Sequence, residues 1–266
     1  MAWRPGWLIL PMFCTGCQGL AGLGSFEPAP TAADYWAQGQ AAMHRGMPLR
    51  AISFYHLSLE RGPEAAQTHL SLAAAHLELG DRARASHHLA HYVAAHPDDG
   101  ELRSRYADLL WQLGAPEARA EFERSIEIVQ DQEETADSVL IHCHSRLMEM
   151  AEAGSDAYGE HLHRGIGLYL LGRAAAGTPE ADAELPSEGL LCKAAGELTL
   201  ARAERPDEAR PSWYLYQVWS TLSQRLPARR CLEEARELAP FTYLTPAEQR
   251  SLLLARQATE PVRAPK

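Results

Sequence analysis

Eight of the chain's 12 histidines fall between His44 and His96. His87, His88 and His91 lie on one predicted helix, with His87 and His91 on a shared face. His142-Cys143-His144 and His161/His163 make a second group. Imidazole pairs on a helix are ligands for zinc or copper. The companions such chemistry needs are missing. No glutamate stands in an HExxH frame, and the one CxxC is Cys14-Thr15-Gly16-Cys17 near the N-terminus. No GxGxxG, Walker or GxSxG element occurs. Glu133-Glu134 and Glu233-Glu234 read as acids on helix surfaces. The histidines are therefore expected to be solvated or to line the core edge, with no catalytic residue, cofactor or metal. A metal-binding or enzymatic protein using the histidine groups is the alternative they leave.

The elements that carry these residues repeat. Gly46 and Gly80, Ala51 and Ala85, and Pro63 and Pro97 are each 34 residues apart, as are Ala201 and Ala235, and Pro206 and Pro240. Two short amphipathic segments per unit at such a period define a helical solenoid. Thr31 and Asp34 form a capping box for the first helix, Pro48 opens the second, and Asp98-Asp99 caps the third unit. Ala85, Leu89, Tyr92 and Pro97 are matched in spacing by Ala194, Leu198, Ala201 and Pro206. The segment 158–172 reads either as the second helix of a fourth pair or as the first helix of the next unit; this match favours the second reading, with Gly165 at the small position and an inserted loop at 174–187. Thr245, Pro246 and Glu248 begin a last helix, expected to shield the open end of the core with Glu248 on its polar face.

Composition agrees: 46% of the 266 residues are hydrophobic, and Ala and Leu dominate. The net charge of −10 is spread along the chain, which argues against a nucleic-acid platform. At the N-terminus, Arg4 precedes an apolar run from Trp7 to Phe13 that reads as an export signal rather than a membrane span. Thr15-Gly16-Cys17 resembles the end of a bacterial lipoprotein signal, which implies lipidation of Cys17. Cys143, Cys192 and Cys231 are too few and too far apart for a disulfide framework and read as small buried hydrophobes.

The repeat residues resemble the tetratricopeptide repeat (TPR) family. Unit one carries Gly39, Gly46, Ala51, Tyr55 and Pro63; unit two carries Leu72, Gly80, Ala85, Leu89 and Pro97. The resemblance runs from about Ala32 to Pro240 and implies an all-α, right-handed superhelical solenoid of antiparallel helix pairs. It has about five to six units, one of them irregular, and a C-terminal capping helix. The expected division is a signal peptide at 1–16, a tether at 17–31, three repeats at 32–130 and degenerate repeats at 131–240. A capping helix at 241–258 and a disordered tail at 259–266 complete it.

The resemblance also implies a protein-interaction scaffold that binds a peptide or helix of a protein partner along the first helices of its pairs. Projected onto this chain, that groove holds Trp36, Gln40, Met43 and His44, then Leu70, Ala74 and Leu77, then Ser104, Asp108 and Trp111. Leu162, Ile166 and Tyr169 follow, then Trp213 and Gln217. The Lys/Asn clamp with which some family members hold a terminal carboxylate is replaced by Trp36, Gln40, Leu70 and Ala74, which argues against a chaperone-tail adaptor. With the leader, the expected setting is the bacterial cell envelope, as a lipoprotein facing the periplasm and assisting assembly of an envelope complex. A soluble cytoplasmic adaptor is the alternative.

Overall fold

The structure is a computed structural model, and it describes residues 29–62, 65–132, 137–177 and 187–259. The leader with Cys17, the tether up to residue 28, Pro63, Glu133-Glu134, the stretch 178–186 and the tail from 260 lie outside the described residues.

Twelve α-helices and no strand occur among the described residues. α1 (Ala32–His44) pairs with α2 (Pro48–Arg61), α3 (Ala66–Glu78) with α4 (Arg82–Ala95), and α5 (Gly100–Gln112) with α6 (Ala118–Asp131). Their ends follow from local chemistry. Thr31 Oγ1 accepts from Asp34 N at 3.2 Å while Asp34 Oδ2 accepts from Thr31 N at 2.8 Å, so two orphan amides are satisfied reciprocally. Asp81 and Asp99 cap α4 and α5 through the amides of Arg84 and Leu102. Each pair turns on a glycine in the left-handed region: Gly46, Gly80 and Gly114, with φ of 69°, 73° and 70°.

The pairs close where one side chain is absent. A Cβ on Gly39 would lie 2.3 Å from Tyr55 Cε1, and Tyr55 is fully buried. Ala73 and Ala107 hold the same register in α3 and α5, buried with Leu89 and Phe122 respectively.

After α6 the pairing changes phase. α7 (Asp137–Ala153) extends the layer of first helices: it contacts α5, and Asp108 of α5 pairs with Arg146 Nε at 2.9 Å and His142 Nε2 at 2.7 Å, both on α7. α8 (Ala157–Gly177) turns back onto α7 and enters the layer of second helices. There it also serves as the first helix for α9 (Ser187–Glu204), with Gly165 against Leu198. α10 (Ala209–Thr221) pairs with α11 (Arg225–Leu238) and lies beside α8, where Tyr169 Oη donates to Gln217 Oε1 at 3.0 Å. One cleft is lined together by Ile126 of α6, His163 of α8 and Arg210 of α10. One odd helix, α7, thus makes the second-helix layer of the N-terminal half continue as the first-helix layer of the C-terminal half.

Two boundaries differ from expectation. α8 continues through 174–177, which the periodicity had assigned to a loop, and α9 starts at Ser187. The last helix, α12 (Pro246–Thr259), begins with the Thr245–Glu248 capping box but does not sit as an outward-facing end cap. It packs back on α6 and α10. Glu248 is only 4% exposed.

Ser155 and Ser223 sit at φ of 57° and 58° in the α7–α8 and α10–α11 turns, where the first three pairs use glycine. An L-residue held there costs on the order of 1 kcal/mol. Ser223→Gly should therefore raise the unfolding free energy by about 0.5–1 kcal/mol. Gly80→Ala should lower it by about 1 kcal/mol, since open space around the added methyl leaves only the backbone cost. Urea midpoints that move together in one direction would contradict this reading of the turns.

Candidate functional site

The phase change divides the expected groove between two faces. On the first, Trp36, Gln40, Met43 and His44 come from α1, Leu70 and Leu77 from α3, and Asp108 and Trp111 from α5. Several of these are engaged within the chain. Trp36 Nε1 and Gln40 Nε2 both donate to Ser71 Oγ, at 3.0 and 3.2 Å, tying α1 to α3. Trp36 and Met43 pack on the core around Tyr55 and Leu72, and Trp111 packs on the larger core beyond. Ser104 is buried, and the Asp108 carboxylate is held by His142 and Arg146. What stays open is a groove of about 450 Å³ between α3 and α5. It is walled by Leu70, Ala74 and Leu77 on one side and Leu102 and Leu109 on the other, with Arg82 and Arg105 also on its lining. Leu77 is 44% exposed, and His44 is also exposed. The spacing argument missed Leu102, Arg105 and Leu109, although the α5 repeat that contains them was legible.

On the second face the expectation of exposed anchors fails. Leu162, Ile166, Tyr169 and Trp213 are all at most 5% exposed, and only Gln217 is half-buried. They enter the core shared by α8, α9 and α10, and α12 covers the layer that would have presented them. Tyr169, Trp213 and Tyr214 share a cleft with Ala247, Glu248 and Ser251 of α12. The attachment is polar as well as apolar. Arg210 Nε reaches both Glu248 carboxylate oxygens at 3.1 Å, Tyr214 Oη donates to Oε1 at 2.9 Å, and Thr245 N donates to Oε2 at 2.9 Å. Thr245 Oγ1 donates to Gln130 Oε1 of α6 at 2.7 Å. Burial pushes the Tyr214 hydroxyl well above its ordinary pKa, with the Glu248 charge adding to it, so it stays a donor. Burial opposes the Arg210 charge, but Glu248 more than restores it and its pKa is raised.

The histidines gather in two groups, and among the described residues no three His, Cys, Asp or Glu are placed to hold an ion. Six imidazoles meet across α2, α3 and α4. His69 Nδ1 lies 3.1 Å from His88 Nδ1, and His69 stacks on His91 with ring centroids 4.5 Å apart. His76, His87 and His56 also neighbour His88. A second pair, His144 and His163, joins α7 to α8 through Nδ1 atoms 3.0 Å apart. In each pair one neutral ring donates to the other. Cys143 and Cys231 are buried, burial pushing the Cys143 thiol up to about 11, whereas Cys192 is exposed, contrary to expectation.

No family model and no curated protein matches the chain. Among solved structures, PilW, described as a widely conserved type IV pilus biogenesis factor, is 13% identical. That match has a TM-score of 0.39 and covers 83% of this chain and 98% of PilW. YrrB, described as a TPR protein with an unusual peptide-binding site, is 15% identical with a TM-score of 0.37, covering 85% and 92%. TTC0263, described as a thermophilic TPR protein in Thermus thermophilus, is 16% identical with a TM-score of 0.34, covering 86% and 98%. The architecture rests on the helix pairing itself. Among the described residues no helix is long and apolar enough to cross a membrane.

Buried histidines make stability pH-dependent. Burial, reinforced by the neighbouring imidazoles, lowers the His88 pKa to about 4. Burial, with Arg210 adding to it, lowers His144 to about 3. His163 is lowered for the same reason, next to His144. An unfolded chain takes up these protons near pH 6.5, before the folded one does. Stability should be full above about pH 6.5 and fall through pH 4, by several kcal/mol in total. Urea denaturation at pH 7, 5.5 and 4.5 measures the fall. Replacing both rings, as His144→Leu with His163→Leu, should flatten it while leaving pH 7 stability within about 2 kcal/mol. An unchanged slope in that double variant would show that the pair does not carry the effect.

Proposed function

We propose that this protein is a non-enzymatic scaffold that binds a peptide or helix of a protein partner, and that the working surface is the open groove between α3 and α5. The observation that carries this is an open channel on the first-helix layer, lined by Leu70, Leu77, Leu102 and Leu109, in which Leu77 is 44% exposed. Apolar grooves edged by arginine suit segments that bring leucine-like anchors and acidic flanks. Trp36 and Trp111 shape this layer from the core side rather than forming its anchors.

A photo-reactive residue at position 77 should give a discrete crosslinked partner in native membranes, whereas one at the exposed Leu49 in the first turn of α2 should not. Leu77→Asp should abolish capture, with the thermal midpoint shifted by no more than a degree or two. Equal crosslinking from positions 77 and 49 would remove the groove from consideration.

The leader extends the reading. We infer export and lipidation at Cys17, placing the scaffold at the bacterial cell envelope, facing the periplasm, where it would assist assembly of an envelope complex. Cys17→Ser should move the protein from the membrane to the soluble fraction and abolish lipid labelling. An intact mass that retains Met1–Gly16 and carries no lipid would instead mark a soluble cytoplasmic adaptor.

A further inference from the structure

α12 lies on the second face as a bound ligand would. Its inward positions are Glu248, Leu252 and Ala255, spaced as one helical stripe, with Leu244 and the capping Thr245 just ahead of the helix; all but Ala255 are at most 5% exposed. They rest on α6, which α12 contacts most, and reach the first-helix layer of the C-terminal half through Arg210 and Tyr214 of α10. The outward positions Leu253 and Leu254 are 59% and 65% exposed, so α12 carries apolar side chains on both sides and buries one. The connection that precedes it exposes Phe241 at 85% and Tyr243 at 61%.

We propose that α12 is a displaceable internal ligand. It occupies the C-terminal half's binding face and exchanges with a partner's amphipathic helix that carries a carboxylate in its first turn and a leucine one turn later. Charge complementarity selects this occupant. Arg210 is 17% exposed at its side chain and faces the Glu248 carboxylate, so an opened face presents a partly desolvated guanidinium flanked by Tyr214 and apolar walls. Only a segment that returns a carboxylate to that point restores the pair, because an unpaired buried charge is strongly unfavourable. The desolvation cost of an ion pair also offsets much of its attraction, which keeps such an attachment exchangeable. α12 makes few helix–helix contacts, chiefly with α6, whereas α8, α9 and α10 each pack between neighbouring helices, which makes α12 a low-stability unit. The inference concerns a different face from the α3–α5 groove, and either can fail without the other.

The test is native-state hydrogen exchange on the full chain, paired with binding of a fluorescent synthetic peptide of residues 243–259. α12 amides should exchange at least tenfold faster than those of α8–α10, through an opening that leaves α8–α10 protected. Glu248→Gln in the chain should accelerate α12 exchange further and strengthen binding of the wild-type peptide at least tenfold, because the tethered copy competes less well. Glu248→Gln in the peptide should weaken its binding by a similar factor. Exchange of α12 only together with α8–α10 overturns the proposal. So does a Glu248→Gln chain that folds, by circular dichroism, yet does not bind the wild-type peptide. If that variant does not fold, exchange in the wild-type chain decides alone.

Discussion

The helix pairs of this solenoid close where a small residue stands opposite a large one. Tyr55 fits because Gly39 offers no Cβ, and Leu198 fits because Gly165 offers none. Ala51, Ala85, Ala194 and Ala228 shorten the reach on the second helices, and all four are buried. Close-packed interiors tolerate little change of volume, so this small–large pairing fixes how deeply the helices interlock. Depth then sets the register, which places the turn glycines. Everything displayed on the layers inherits that register.

This explains which parts of the fold were legible in the chain. Small residues recurring every 34 positions, the Thr31–Asp34 capping set and the Asp98-Asp99 cap are local signals, and they locate α1 to α6. Gly165 and Leu198 identify α8 with α9 by the same logic. What spacing cannot convey is parity. A lone helix inserted between pairs leaves every later repeat intact and moves it to the opposite layer. Trp36 and Trp213 therefore look equivalent in sequence, yet one lies on the open layer of the N-terminal half and the other beneath α12.

Glu248 illustrates the second limit. In sequence it is the acid three residues after the Thr245 cap of a capping box, and a capping acid normally faces water. Its burial follows from Arg210 and Tyr214, more than thirty residues away, and from a Gln130–Thr245 bond spanning 115 residues. The same carboxylate caps α12 and anchors it, so one residue type serves a local and a tertiary purpose that only the assembled fold tells apart. The histidines followed a related course. Their clustering was visible in sequence; that it yields paired neutral rings at helix crossings, rather than ligands converging on a point, depends on side-chain directions set by the helix packing.

The two faces also differ in how they are linked to the rest of the molecule. The α3–α5 groove ends at Asp108, whose ties to His142 and Arg146 run into α7, the helix at which the layers exchange. α7 packs on α8 through the His144–His163 pair, and His163 shares its cleft with Arg210. These steps join neighbouring helices, so α7 stands between the groove and the seat of α12. A solenoid with uninterrupted pairing has no such joint, since its neighbouring repeats meet in one repeated way. Here the odd helix is the reason the two faces belong to different layers, and it packs between them.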